Sequence, residues 1–179
     1  MKHQAHTLTA GNVHLLPVLH EQLECAQLVI EAFTRLKPRA IAVELPRSLQ
    51  EPLTRAVRRL PQVSGVRYRN ARGEPVYFLV EPTEPLFEAV RLGLEHGVPV
   101  HFVDLDLDDY PEHHDRLPDA YAMLRIGHRA FFEACAESPS LSHASPEDLR
   151  REAAMAARLT ALSSGEGPLL FVCGMAHAR

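Results

Sequence analysis

Near its C-terminus the chain carries an apolar run, Leu169-Leu-Phe-Val-Cys173, with no polar face to turn toward water. A run this short, bounded by Pro168 and Gly174, reads as a buried strand. Gly174 allows a tight turn, and three residues later comes His177. That delivers an imidazole to the end of a central strand, where open α/β sheets gather their sites. Any partner for it has to come from the ends of earlier strands.

The earlier chain supplies such strands. Residues 1–12 are polar and close on a Gly11-Asn12 turn signal, after which Val13 to Leu19 reads as the first strand. Pro17 lies within it and removes a ladder donor, which favours an edge or a bulge. Leu23, Ala26, Leu28, Val29, Ala32, Phe33 and Leu36 then fall on one helical face, and Lys37-Pro38 ends that helix. Ala40 to Val43 is a short buried strand finishing on Glu44. Leu49 to Leu60 is amphipathic, with Arg55, Arg58 and Arg59 on a solvated face. Two strands, 66–69 and 76–80, read as a hairpin joined by the turn 71–74. Glu84 to His96 is a helix stopped by Gly97. Val98 to Val103 is another buried strand, ending on Asp104. Long helices are expected over 118–137 and 146–163, the second started by Ser145 with Pro146 and two acids behind it.

Strands alternating with helices predict an α/β domain, a three-layer arrangement with a mostly parallel central sheet flanked by helices and one inserted β-hairpin. Its length of 179 residues suits a single domain spanning 1–179 with a sizeable core. The chain reads as a complete small protein or as the N-terminal part of a longer one, with the balance slightly toward the second. The net charge of -4 gives no reason to expect nucleic acid or an anionic membrane as partner. Cys25, Cys135 and Cys173 form no CxxC pair, which fits a reducing, cytoplasmic setting. No signal peptide or membrane-spanning run is visible.

Four strand ends are ionisable: His20, Glu44, Asp104 and His177. In a parallel sheet they share one edge, so residues far apart in sequence converge on one cleft. Two imidazoles and two carboxylates there can hold a divalent metal or run acid–base chemistry on water. The plainer alternative, helix caps and arginine partners, is even-handed for any one of them. It is less attractive for all four, because burying several charges without a role is costly. Among the other signals, His113-His114 reads as part of a solvated acidic loop, His14 is unassigned and His101 reads as a satisfied strand residue. No G-x-S-x-G supports a serine nucleophile, and no G-x-G-x-x-G or P-loop supports nucleotide binding.

The motifs together resemble the TraB/Tiki/ChaN/erythromycin-esterase superfamily. Pro17-Val-Leu-His20, a helix, Pro38 and Ile41-Ala-Val-Glu-Leu45 are similar to its opening G-x-x-H, helix, proline and V-E-L strand. Gly174-Met-Ala-His177 resembles its second G-x-x-H. Arg151-Glu-Ala-Ala-Met-Ala156 is similar to its R-D-x-x-M-A helix, and Val98 to Asp104 to its central strand. The resemblance runs from Val13 to His177, closest to bacterial ChaN/TraB-like members. Pro17 in place of the glycine and Leu105 in place of an arginine depart from the pattern.

The resemblance implies a cleft lined by His20, Glu44 and His177, with Arg151 and Glu152 as a supporting ion pair. These five are the candidate catalytic residues, and His20, Glu44 and His177 are the candidate metal ligands. The implied function is hydrolysis of an ester or peptide bond in a small-molecule or peptide substrate. His20 or His177 would be the general base, with a divalent metal as a candidate cofactor and a homodimer as a candidate assembly. The alternatives are a non-catalytic ChaN-type domain holding haem, iron or a small ligand, and a degenerate scaffold module.

Overall fold

The computed structural model describes residues 4–70, 72–107, 118–137 and 144–178. Strand β1 (Leu8–Ala10) turns through Gly11, at φ +59°, into antiparallel β2 (Val13–Val18). Helix α1 (Leu23–Leu36) leads to β3 (Ala40–Pro46), and α2 (Gln50–Val57) to the hairpin β4 (Ser64–Arg69) and β5 (Pro75–Val80). Helix α3 (Pro85–His96) precedes β6 (Val100–Asp104). Then α4 (Met123–Ile126), α5 (His128–Ala136) and α6 (Pro146–Leu162) lead into β7 (Leu169–Gly174).

The main sheet has the order β1-β2-β7-β3-β6, parallel except for the β1–β2 pair. The apolar closing run is therefore the middle strand, paired on one side with β2 and on the other with β3. Side chains alternate across it, as the pleat requires. Ile41, Val43, Leu170 and Val172 face a cluster containing Val29 and Phe33 of α1 and Phe87 and Val90 of α3. Ala40, Ala42, Leu169, Phe171 and Cys173 face Met155, Leu159 and Leu162 of α6. The result is an α/β domain with a mixed, mostly parallel sheet flanked by helices. The hairpin forms a separate two-stranded antiparallel sheet, as its inserted position suggested. Among the described residues no helix is long and apolar enough to cross a membrane.

Local chemistry accounts for the boundaries. Lys37 adopts a left-handed conformation at φ 48° and donates its N–H to the Phe33 carbonyl, ending α1 before Pro38. Gly93, inside α3, is required by space: a Cβ there would lie 2.2 Å from Val100 Cγ2, so the missing side chain lets α3 lie against β6. Gln50 covers the outer edge of β6, donating to the Val100 carbonyl at 3.0 Å and accepting the Phe102 N–H at 3.4 Å. An unpaired strand edge is thereby partly closed by a side chain.

Two expectations change. The helix predicted over 118–137 is broken: a 3-10 turn at 120–122 and α4 stop at Gly127, which takes φ 86° and ψ 156°, and α5 starts afresh at His128. The N-terminal segment, given no strand ahead of its Gly11-Asn12 turn, contributes β1. The pair of histidines at 113 and 114 lies outside the described residues, as does most of the loop around it.

Pro17 sits where β2 has run past its pairing with β1, which reaches only Leu15. Its carbonyl points away from β7 and accepts from Nε2 of His128 at 2.9 Å, while His128 Nδ1 accepts the His6 N–H at 3.0 Å. The ring stands between the two chain segments in place of a direct backbone bond. A proline is tolerated there because its missing donor faces no strand. His128 is 1% exposed. Burial presses its pKa down to about 4, against a smaller upward pull from the Pro17 carbonyl.

That depression favours the neutral ring in the folded state. The stability it represents is complete above the ordinary imidazole value and is lost as pH falls from there toward 4. His128→Gln is therefore expected to flatten the fall in Tm between pH 6.5 and 4 relative to the unsubstituted chain. Thermal melts across that range check this, and an unchanged slope in the variant would refute the assignment.

Candidate functional site

The carboxyl ends of β2, β3, β6 and β7 open into a cleft of about 770 Å³ whose lining includes His20, Glu44, Asp104, Arg151 and His177. Glu44 follows Ala40 and Ala42 on the face of β3 that turns toward α6, at an irregularity in the strand. Val43 pairs with Phe102 and Pro46 with Asp104, so two residues of β3, Glu44 and Leu45, stand opposite one of β6. Here the carboxylate turns toward α6 and the end of β7.

Arg151, in the second turn of α6, is the hub. Its Nη2 donates to Glu44 Oε1 at 2.5 Å and to Asp104 Oδ2 at 2.8 Å, and its Nε lies 3.1 Å from the same Asp104 oxygen. Asp148, one turn earlier and fully buried, faces Nη1 at 3.5 Å. Asp148 also completes a capping box with Ser145, so the acid that starts α6 aims its arginine as well. Arg151 is 6% exposed and Asp104 1%. Leu105, where the resembling family carries arginine, contributes no cation, and Arg151 fills that role for Asp104.

Both oxygens of Glu44 are engaged. Oε2 accepts the Gly174 N–H at 2.6 Å, and Oε1 also faces His177 Nε2 at 3.1 Å. Burial alone would raise the Glu44 pKa. The His177 hydrogen bond and the charges of His20, His177 and Arg151 outweigh it and hold the carboxyl down at about 2. His177 has a carboxylate at each nitrogen, the second being Glu152 Oε1 at 3.1 Å from Nδ1. Both ring nitrogens are placed to donate, which is the protonated form. Burial opposes that, but Glu44 first and Glu152 after it raise the His177 pKa.

His20 is different. Its side chain is 47% exposed at the cleft mouth, and Nδ1 lies 3.2 Å from Glu84 Oε1. Glu84 is the N-cap of α3, where it also accepts from Leu86 N and Glu21 N, each at 3.0 Å. Its oxygens are thus fixed by backbone donors before they meet the ring. Burial would lower the His20 pKa; the Glu84 hydrogen bond and charge, with help from Glu44, overcome it and carry it up to about 9. Among the described residues Nε2 has no hydrogen-bond partner. It points to the end of β7, where a Cβ on Gly174 would lie 2.9 Å from Nε2 and 3.3 Å from Glu44 Oε2. Glycine is needed there for space, since any side chain would push between the imidazole and the carboxylate.

Of the five candidate catalytic residues, Arg151, Glu44, His177 and Glu152 are joined in one chain of polar contacts, whereas His20 lines the same cleft with Glu84 as its partner. The metal expectation for His20, Glu44 and His177 is corrected: among the described residues no three His, Cys, Asp or Glu side chains are grouped to hold a metal ion. The reason is directional. His177 spends both nitrogens on carboxylates, and Glu44 spends its oxygens on Arg151, His177 and a backbone N–H, so their lone pairs do not converge. Glu84 was missed as a site residue, although a glutamate before proline at a helix start, where shorter side chains are the usual caps, was a readable signal. His14 and His101 do not line the cleft; His101 is half-buried on the edge strand β6. Arg55 pairs with Glu51 on the exposed face of α2.

Comparison with protein-family models, with curated proteins and with solved structures finds no match in any of the three. Function therefore has to be argued from the cleft itself.

Removing the hub exposes its role. Arg151→Met leaves three buried carboxylates facing one another, and the unfolding free energy at pH 7 is expected to drop by about 3–5 kcal/mol. Protonating those acids relieves the repulsion, so the loss shrinks toward pH 4. Urea unfolding at both pH values measures this, and equal losses would contradict it.

Proposed function

We propose that the protein is an acyl hydrolase, cleaving an ester or amide with water activated by His20. The observation that carries the reading is the Glu84–His20 dyad. One ring nitrogen is held by a carboxylate whose other bonds are to backbone, and the second is open to the cleft. A carboxylate on Nδ1 fixes the tautomer and orientation that leave Nε2 as the proton acceptor. The resemblance to the TraB/erythromycin-esterase superfamily supports the same reading, because its esterases use His and Glu to activate water.

The steps use only this chain's residues and water. Water loses a proton to His20 Nε2 as its oxygen bonds to the acyl carbon. The acyl–oxygen or acyl–nitrogen bond then breaks, and the departing alkoxide or amide takes that proton back. Glu84 steadies the imidazolium that forms between the two transfers. His177 and Glu44 are not the base in this scheme: the first is held protonated between two carboxylates, the second is ionised and fully engaged. They instead fix the floor of the cleft beside Gly174.

Because His20 titrates at about 9, the free base is scarce at neutral pH, and kcat/KM is expected to rise with pH and level off near that value. Glu84→Gln keeps an acceptor for the α3 cap but removes the charge, so the rising limb shifts toward the ordinary imidazole value and the plateau falls. His20→Ala lowers kcat by roughly 10²–10⁴ with the fold intact. Rates with p-nitrophenyl acetate from pH 6 to 10 test all three. Activity that declines through this range, or survives in His20→Ala, would remove His20 as the base.

A further inference from the structure

The cleft has a second half that the chemistry does not use. Beyond His20 its lining is apolar: Phe78 and Leu79 from the end of β5, Leu86 and Phe87 from the first turn of α3, and Leu19 and Met175 beside the two strand ends. Phe78 and Phe87 pack edge to face at 5.9 Å, which joins the hairpin to α3 along this wall. Leu79, on the other face of β5, is 56% exposed although it lines the cleft. An aliphatic side chain at a cleft mouth, held by that hairpin and left facing water, is favourable to cover.

Charge narrows what can cover it. Glu21, Glu81 and Asp119 line the same cleft, and the guanidinium of Arg151 is already shared among Glu44, Asp104 and Asp148. Once His20 is the free base that the chemistry requires, an anionic ligand meets only like charge at the rim, and a neutral one does not. The size is that of a small organic molecule, since clefts of this volume fall within the range that buries one.

We propose that the substrate is a neutral acyl compound with a medium-length aliphatic or aryl acyl group lying along the β5–α3 wall, and that Leu79 is its chain-length determinant. This rests on the acyl-hydrolase reading of the same cleft. The carbonyl lies at His20, the chain runs toward Phe78 and Leu79, and the carboxylate product is expelled by the acidic rim, which binds the neutral substrate without penalty.

The test compares p-nitrophenyl acetate, butyrate and octanoate on the unsubstituted chain and on Leu79→Asp, an exposed position where the fold tolerates the change. kcat/KM is expected to climb on the order of a hundredfold from acetate to octanoate, as partial burial of the added methylenes allows. In Leu79→Asp the octanoate-to-acetate ratio falls about tenfold or more. A flat chain-length profile, or a ratio unmoved by the substitution, overturns the proposal. Calorimetric titration with 2-decanone, a neutral carbonyl compound that cannot be hydrolysed, separates the two readings. If no ester turns over but 2-decanone binds the unsubstituted chain and not Leu79→Asp, the hydrolase reading falls and the apolar subsite stands. If esters turn over and 2-decanone does not bind, the subsite falls alone. If octanoate anion binds as tightly as 2-decanone, the argument from the acidic rim is wrong and the proposal with it.

Discussion

A single guanidinium joins the parts of this molecule that the backbone leaves separate. Arg151 belongs to α6, yet its partners are Glu44 on β3, Asp104 on β6 and, through Glu44, the amide of Gly174 on β7. Charges this deeply buried are tolerable only when each lone pair and each N–H finds its counterpart. That requirement fixes how far α6 can slide along the sheet. The cluster does more to specify a geometry than to supply stability, because an apolar replacement of equal volume would also pack.

The cluster also divides the work of the two histidines. Both follow the end of a sheet strand and read alike in sequence. His177 is enclosed by acids on both sides, and they raise its pKa against the effect of burial. His20 is held on one side only, by a helix cap, and keeps a nitrogen for something else. The difference lies in Glu152 and Glu84, two glutamates from opposite flanks of the sheet.

Much of this was legible before any coordinates. Short apolar runs that end on polar residues give a parallel sheet with one chemically loaded edge, and His20, Glu44, Asp104 and His177 do lie there. The rest depends on features that periodicity cannot carry. Gly127 interrupts a pattern that otherwise reads as one helix, because a single positive φ outweighs the preference of its neighbours. β1 is only three residues long on a sheet edge and has no burial pattern to announce it. Pro17 looked like a defect and is accommodated by a histidine over a hundred residues away. The metal reading failed for a related reason. Residue types set which atoms could coordinate, but only the tertiary contacts decide where their lone pairs already point. Glu84 escaped notice because its backbone role at a helix start hid its side-chain role at the cleft.

The middle place of β7 bears on how the molecule comes to be. β2 and β3 never pair with each other; each pairs with β7, a strand that follows β2 by some 150 residues. Until it is made, the nascent chain holds two fragments of sheet, β1–β2 and β3–β6, each with an open parallel edge awaiting the same missing piece. Contacts between residues so distant form slowly, and open edges in the interval invite wrong pairing. Gly174 and His177 arrive with that strand, so the cleft has no floor before it. Assembly of the sheet and assembly of the site are therefore one late event, and a ribosome-bound chain lacking β7 has neither.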